Sequence, residues 1–284
     1  MSGSTQACLY VVATPIGNLA DISQRALEVL ANVDIILAED TRHSKRLLNH
    51  YGVSTRLKSC HEHNEADQVD WVKSQLDQGL SLALISDAGT PLISDPGFVL
   101  VRALREQGYD VMAVPGASSI IAALSISGLP TDGFVFDGFL SSKSTARKKA
   151  LAQYINQTRT TVLLESSHRI LACVQDIVDV LGETREIVVA RELTKRFETV
   201  LSGKAIDVLQ TIEADDNQTR GEFVVMLAGA EPVSEEQAHV EHLLRVLLQE
   251  LPVKQAAAIA AKIASLRKND VYQMALALKK EMDD

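Results

Sequence analysis

The sequence predicts two α/β domains, the first on a mainly parallel sheet and the second on a mixed sheet, with a small helical C-terminal appendage. Short apolar runs alternate with amphipathic segments over the first 230 residues, which is typical of βαβ units. Several of these runs end in turns rich in Pro and Gly. No strand pattern is found beyond residue 237. The predicted domains are therefore 1–130, 131–230 and 237–284.

The first domain is predicted to alternate strands and helices. Its strands are 9–13, 34–38, 57–59, 81–86 and 111–114. Its helices are 23–31, one that ends near 51, 66–78, 97–107 and 118–127. We expect Asp21 to cap the first helix, and Gly52 and Gly79 to end the second and third. This order of elements predicts a mostly parallel sheet.

The second domain begins after the turn segment 128–133. Its predicted strands are 134–140, 161–164, 186–190 and 222–227, and its predicted helices are 144–157, 168–181 and 203–213. A linker at 231–236 leads to the appendage, where 251–262 and 269–276 form a helix-turn-helix-like pair. Residues 237–284 contain seven Lys and Arg and six Asp and Glu, whereas the whole chain has a net charge of −9. The appendage therefore permits a nucleic-acid contact, although dimerisation or packing fits it equally well.

Composition and missing motifs exclude several classes of protein. A net charge of −9 argues against nonspecific coating of nucleic acid. Cys8, Cys60 and Cys173 lack CxxC spacing, so we expect neither a disulfide framework nor a metal site. The apolar runs are too short to span a bilayer and residues 1–6 lack a signal-peptide pattern, which predicts a cytoplasmic protein without membrane contact. P-loop, GxGxxG, HExxH and GxSxG motifs are missing from the sequence.

Three predicted strands end in loops that suit a small polar ligand. The most informative is in the segment LALISDAGTPLISDPG at 82–97, where a predicted strand runs into a loop. Similar loops lie at 14–18 and 115–119. Carboxyl ends of parallel strands meet at one edge of a sheet, where ligands bind in open α/β folds. Each loop alone could be an ordinary β-to-α connection, but three together predict a shared pocket.

Basic residues cluster near these predicted strand ends. Each cluster could equally be a solvated helix face. The clusters are Arg42, Lys45 and Arg46; Lys143, Arg147, Lys148 and Lys149; and Arg191, Lys195 and Arg196.

The motifs together resemble one enzyme family. They are ATPIGNLADI at 13–22, AEDTRH at 38–43, SDAGTP at 86–91, DPG at 95–97, PG at 115–116, ESSHR at 165–169, ARELTK at 190–195 and GE at 221–222. The chain resembles the tetrapyrrole-methylase-type S-adenosylmethionine methyltransferases, and within them the bacterial branch that methylates a cytidine ribose 2′-hydroxyl in small-subunit ribosomal RNA. The resemblance implies a homodimer that binds S-adenosylmethionine in the cleft between its two α/β domains, with ribosomal RNA or the small ribosomal subunit as partner.

The resemblance also implies site residues. The implied cofactor contacts are Pro15, Asp87, Gly89, Thr90, Ile93, Ser118, Ser119, Glu165, Ala190 and Gly221. Thr90 stands where the porphyrinoid enzymes carry Asp, so Asp87 is the alternative source of a carboxylate. For catalysis we expect Glu165 or Lys195 to assist deprotonation of the hydroxyl, and Arg191 to grip phosphate. The expected RNA contacts are Arg42, Lys143, Arg147, Lys148, Lys149, Arg267 and Lys268.

Two other functions stay open on the sequence. The same scaffold could methylate a porphyrinoid or another small molecule, because fold does not fix function. The chain could also be a noncatalytic RNA-binding assembly protein.

Overall fold

The fold is taken from a computed structural model that describes residues 7–61, 64–231, 235–264 and 266–283. The N-terminal segment tested for a signal sequence, 1–6, and residues 232–234 of the predicted linker lie outside the described residues. The chain divides into two compact units, Met1–Ala230 and Glu231–Asp284. Among the described helices, none has the length and apolar character needed to cross a bilayer.

The first half of the larger unit is a five-stranded parallel sheet. Its strands are β1 (Leu9–Val12), β2 (Ile35–Ala38), β3 (Arg56–Ser59), β4 (Leu82–Ile85) and β5 (Val111–Val114), in the spatial order β3-β2-β4-β1-β5. Strand β1 pairs with β4 on one side and with β5 on the other. The loops after these three strands therefore meet at one edge, as the sequence predicted.

Five helices accompany this sheet: α1 (Gln24–Asn32), α2 (Thr41–His50), α3 (Glu65–Asp77), α4 (Phe98–Glu106) and α5 (Ser119–Ser127). Helices α1 and α2 pack on one face of the sheet, and α3 and α4 on the other. The cap of α1 is Ser23, whose hydroxyl accepts from the amide of Ala26, so the prediction of Asp21 was wrong. Asp21 instead lies in a preceding 3-10 turn.

The second half is a mixed sheet with the order β6-β7-β10-β8-β9. Its strands are β6 (Phe134–Phe139), β7 (Thr160–Ser166), β8 (Glu186–Arg191), β9 (Thr199–Lys204) and β10 (Glu222–Leu227). Only β6 and β7 are parallel; the other neighbours are antiparallel. The sequence analysis missed β9, an edge strand whose half-buried and exposed residues alternate without a strong apolar run.

Helices α6 (Ser144–Leu151), α7 (Ile170–Leu181) and α8 (Ala205–Ala214) cover one face of the second sheet. Helix α5 covers the other face, because Ile120, Ala123 and Leu124 pack against apolar residues of β7, β8 and β10. A shared apolar core therefore joins the two halves.

The smaller unit contains three helices among its described residues: α9 (Glu235–Glu250), α10 (Val253–Ile263) and α11 (Lys268–Asp283). The sequence analysis predicted α10 and α11 but not α9. Val240, Leu244 and Leu248 of α9 recur at four-residue intervals and are buried against α10 and α11. This spacing was a readable helix signal.

Candidate active site

A cleft of about 440 Å³ opens where the first sheet's strand-end loops face the second sheet. Eight of the ten residues predicted for the cofactor line it: Gly89, Thr90, Ile93, Ser118, Ser119, Glu165, Ala190 and Gly221. The two halves of the larger unit both contribute to the wall, so the cleft lies between them. Its position agrees with the crevice expected at the carboxyl ends of parallel strands.

Two predicted residues do not line the cleft. Pro15 is buried beside Ile16, which does line it. Asp87 faces the end of β2, where its carboxylate accepts from the backbone amide of Asp40 at 3.2 Å. On this side of the cleft the lining carboxylate belongs instead to Asp95. The DPG motif was seen in the sequence, but its Asp was not selected as a site residue.

The first wall is a set of loops tied together by backbone hydrogen bonds. The amide of Gly89 donates to the carbonyl of Thr14 at 3.1 Å, and the amide of Thr14 donates back at 2.8 Å. The hydroxyl of Thr90 donates to the carbonyl of Ala117 at 3.3 Å. Gly89 has a φ of +78°, and a Cβ there would lie 3.4 Å from Ile16. The left-handed backbone and the close approach both favour glycine.

Acidic side chains lie behind this wall. Burial raises the pKa of Asp95, and the charge of Asp87 adds to that effect. Burial also raises the pKa of Glu39, with further contributions from Asp95 and Asp87. No cluster of metal-ligating side chains is found in the part of the chain that the structure describes.

The second wall carries a buried carboxylate that is already hydrogen-bonded. Glu165 is 3 % exposed and accepts from the amide of Ser166 at 2.7 Å and from Nη2 of Arg169 at 3.0 Å. Arg169 also donates to the carbonyl of Leu140 at 2.7 Å. These bonds hold the end of β6 against the end of β7. Glu165 therefore has an evident structural role.

Residues 192–198 form the β8–β9 loop, which closes one side of the cleft. Nζ of Lys195 lies 2.8 Å from carboxylate oxygens of both Glu192 and Glu222. Burial lowers the pKa of Lys195, but the two carboxylates outweigh it and the net shift is upward. Because its pKa is raised, Lys195 stays protonated and has no free lone pair to accept the proton of a hydroxyl. This argues against Lys195 as the base.

The comparisons with known proteins agree with this architecture. Residues 8–209 match the model of the Tetrapyrrole (Corrin/Porphyrin) Methylases, and residues 234–279 match that of the RsmI C-terminal HTH domain. The chain belongs to the tetrapyrrole methylase family. It is 51% identical to the ribosomal RNA small subunit methyltransferase I of Pseudomonas aeruginosa, over 94% of this chain and 96% of that one. The proteins of the same name in Vibrio cholerae and Escherichia coli O157:H7 are 49% and 47% identical, over 94% and 96% of both chains respectively.

Solved structures agree on the fold of this methylase. The cobalt precorrin-4 methyltransferase CbiF aligns with a TM-score of 0.57 and 16% identity, over 80% of this chain and 97% of that one. The uroporphyrin-III C-methyltransferase of Thermus thermophilus, solved with S-adenyl homocysteine, aligns with a TM-score of 0.54 and 16% identity, over 78% and 97% of the chains. Identities this low support the fold alone.

Two arginines of this methylase do not have the exposure that their expected roles require. Arg191 is 8 % exposed, and its guanidinium donates to the carbonyls of Arg220 at 2.6 Å and Phe197 at 3.1 Å. Arg147 is 2 % exposed and forms a 2.6 Å ion pair with Asp176. Both guanidinium groups are buried and bonded within the protein, which does not favour the phosphate contacts expected of them.

The other expected RNA contacts differ in exposure and in ion pairing. Lys148 pairs with Asp179 at 2.6 Å, and this hydrogen bond raises the pKa of Lys148. Arg42 has a side chain that is 90% exposed, although it lies 3.3 Å from Asp40. The remaining four are exposed on the surface: Lys143, Lys149, Arg267 and Lys268.

Proposed function

We propose that this chain uses S-adenosylmethionine to methylate the ribose 2′-hydroxyl of a cytidine in small-subunit ribosomal RNA, within the small ribosomal subunit or as free RNA. The identity of about half of all residues to the ribosomal RNA small subunit methyltransferase I proteins, over nearly the whole chain, carries this proposal. The family resemblance supplies the finer part, the cytidine and its 2′-hydroxyl. A ribosomal substrate also favours the cytoplasm as the site of action.

The cleft has properties that fit S-adenosylmethionine. Its volume of about 440 Å³ is in the range of small-molecule sites. Hydroxyls of Thr90, Ser118 and Ser119 offer hydrogen bonds to the amino-acid and ribose parts. The carboxylate of Asp95 lines the same space, where it favours a cationic ligand. When bound, S-adenosylmethionine supplies a methyl group activated by its sulfonium charge.

We assign removal of the hydroxyl proton to Asp95. Three carboxylates line the cleft; Glu165 is paired with Arg169 and Glu222 with Lys195, whereas Asp95 has only the hydroxyl of Ser86 as a side-chain partner among the described residues. Burial raises the pKa of Asp95, which makes its carboxylate a stronger base than an exposed one. The Asp95→Asn variant is expected to lower kcat by about 10²-fold or more. Its activity should also lose the acidic limb of the pH profile; an unchanged profile would exclude Asp95 as the base.

Exposed cations support an RNA substrate. Helix α2 has Arg42, Lys45 and Arg46 on its surface and no acidic residue. A groove of about 480 Å³ runs between α2 and the segment leading into β3, lined in part by Arg42, Lys45 and Asn49. Helix α2 begins at the end of β2, next to the strand that carries the cleft loop. Phosphates flanking the target nucleotide could therefore contact this helix.

We also propose a homodimer, which the family resemblance implies. Large apolar side chains are exposed on the first half of the larger unit, among them Phe98 at 60 % and Ile121 at 57 %. Aromatic and other large apolar side chains are enriched at protein interfaces. Light scattering coupled to size-exclusion chromatography should give twice the mass of one chain, and a monomer mass would contradict the proposal.

The decisive experiment is methyl transfer from labelled S-adenosylmethionine to small ribosomal subunits that lack the modification. We expect 2′-O-methylcytidine in the digested RNA. The variant Gly89→Trp should abolish cofactor binding, because the ring fills the cleft and the φ of +78° disfavours any side chain. Gly108→Trp is the matched control, since Gly108 has a φ of +81° but nothing within 4 Å.

Each outcome separates the competing functions. Label in RNA that Gly108→Trp retains and Gly89→Trp loses would support the proposal. Cofactor binding with label found in a porphyrinoid but not in RNA would favour the small-molecule alternative. Cofactor and RNA binding without any transfer would favour the noncatalytic assembly protein.

A further inference from the structure

The β8–β9 loop carries Phe197, the most exposed large apolar side chain among the described residues, at 61 %. A single exposed apolar side chain is not by itself a site, so its position and its neighbours decide what it can do. In the sequence Phe197 stands between Arg196 and Glu198. An exposed ring beside an arginine fits a ligand with a flat face and negative charge.

The backbone beneath this ring is rigid. The buried guanidinium of Arg191 donates to the carbonyl of Phe197 at 3.1 Å and also to that of Arg220 at 2.6 Å. Glu192 and Thr194 have φ values of +52° and +65°, which non-glycine residues adopt only when their surroundings hold them there. A ring fixed in advance loses little conformational freedom when a ligand binds to it.

Several contacts hold the loop at the rim of the cleft. Leu193 lines the cleft itself. The amide of Asn18, in the loop after β1, donates to the hydroxyl of Thr194 at 3.1 Å. Gly17 lies so near Lys195 that a Cβ would come within 2.5 Å of its Cγ. A nucleotide that enters the cleft would therefore have its neighbours close to the loop.

The arginines near Phe197 favour nucleic acid, and the neighbouring carboxylate of Glu198 is occupied by the amide of Thr194. The guanidinium of Arg196 lies 5.5 Å from the centre of the Phe197 ring. Within the described part of the chain, neither Arg196 nor Arg220 forms an ion pair with a carboxylate. Single-stranded RNA is commonly bound by stacking its bases on aromatic rings and arginine planes, with cations nearby for the phosphates.

We propose that Phe197 is a stacking platform for a base of the substrate RNA next to the methylated nucleotide, with Arg196 contacting the adjoining phosphate. This inference rests on the proposed function, since it assumes that an RNA strand enters the cleft. It assigns Phe197 a binding role and no part in the methyl transfer itself.

Four variants test the ring. Phe197→Ala and Phe197→Leu both remove the aromatic face, while Phe197→Trp keeps it. Phe134→Ala is the matched control, because Phe134 is 37 % exposed at the opposite end of the strand whose Phe139 lines the cleft. We expect the Kd for a short single-stranded RNA to rise about tenfold in the Ala and Leu variants. The KM for undermethylated small subunits should rise in parallel, with the Trp variant and the control near wild type.

Two further measurements complete the test. The Kd for S-adenosylmethionine should be unchanged in all four variants. Arg196→Gln should reduce the slope of log Kd against log salt by about 0.7, as expected for one lost phosphate contact to a single strand.

The results separate this inference from the function on which it rests. A Leu variant that binds RNA as well as wild type would overturn stacking, because it keeps the apolar bulk without the ring. An Ala or Leu variant that becomes monomeric would overturn it in favour of a subunit interface. Wild-type protein that binds RNA through Phe197 without transferring methyl would refute the proposed function but retain the stacking role.

Discussion

Helices α2 and α6 have similar basic sequences but different charge environments. Both carry three Lys or Arg and no acidic residue. In α6, Arg147 is buried against Asp176 and Lys148 pairs with Asp179, and both partners lie on α7. In α2, Arg42 has only the capping Asp40 nearby, and Lys45 and Arg46 are exposed. We therefore expect RNA binding from a cationic segment only where no neighbouring element supplies the anions.

The largest expected difference between the helices is in stability. Arg147→Ala leaves the carboxylate of Asp176 buried without its cation, which should lower the free energy of unfolding by about 3–5 kcal/mol. Arg42→Ala should leave it unchanged, because that side chain is 90% exposed. Urea denaturation of both variants provides the measurement. Equal midpoints would remove the distinction between a structural and a surface arginine.

For RNA binding, substitutions in α2 should have a larger effect than a substitution in α6. Replacing Arg42, Lys45 and Arg46 with Gln should reduce the slope of log Kd against log salt by about 2, if each contacts one phosphate of a single strand. Lys148→Gln is the matched control in α6 and should leave the slope unchanged, because its ammonium is paired. Filter binding to undermethylated small subunits at several salt concentrations gives the slopes. A larger effect from Lys148 would place the RNA on α6.

The smallest expected effect is on the stability of the fold at low pH. The hydrogen bond from Lys148 lowers the pKa of Asp179 in α7, and that from the amide of Arg42 lowers the pKa of Asp40. A carboxylate with a lowered folded-state pKa stabilises the fold above its unfolded value, about 3.9, and this contribution is lost as pH falls through the folded value. Asp179→Asn should therefore lower the thermal midpoint slightly at pH 7, and the difference should shrink as the pH falls below about 3.9. A difference that does not shrink on acidification would contradict the ion-pair origin.

The comparison also explains which features the sequence could predict. The parallel sheet and a shared pocket at its edge follow from chain order, because strands β1, β4 and β5 each end in a recognisable turn. The individual cleft residues were predicted only from the family resemblance. Gly89 and Gly221 were predicted for the site from motif resemblance. The physical requirement at Gly221 is visible only in three dimensions, where a Cβ would come within 2.5 Å of the Glu192 side chain.

The features that were missed depend on contacts between distant segments. The burial of Arg147 is set by Asp176, 29 positions further along the chain. Asp95 rather than Asp87 faces the cleft because Asp87 is hydrogen-bonded to the amide of Asp40 on the neighbouring strand end. Strand β9 is defined by its pairing with β8. No local pattern encodes these three outcomes.

Helix α5 has a consequence for how substrates enter. The helix begins directly after the cleft loop at Ser118, and its apolar residues pack against the second sheet. It therefore connects the two walls of the cleft. Opening the cleft as two hinged bodies would expose Ala123 and Leu124, which are now buried, to water. On the proposed function, we therefore expect the cofactor and the target nucleotide to enter a cleft that opens little, so that substrates are selected by the shape that fits into it.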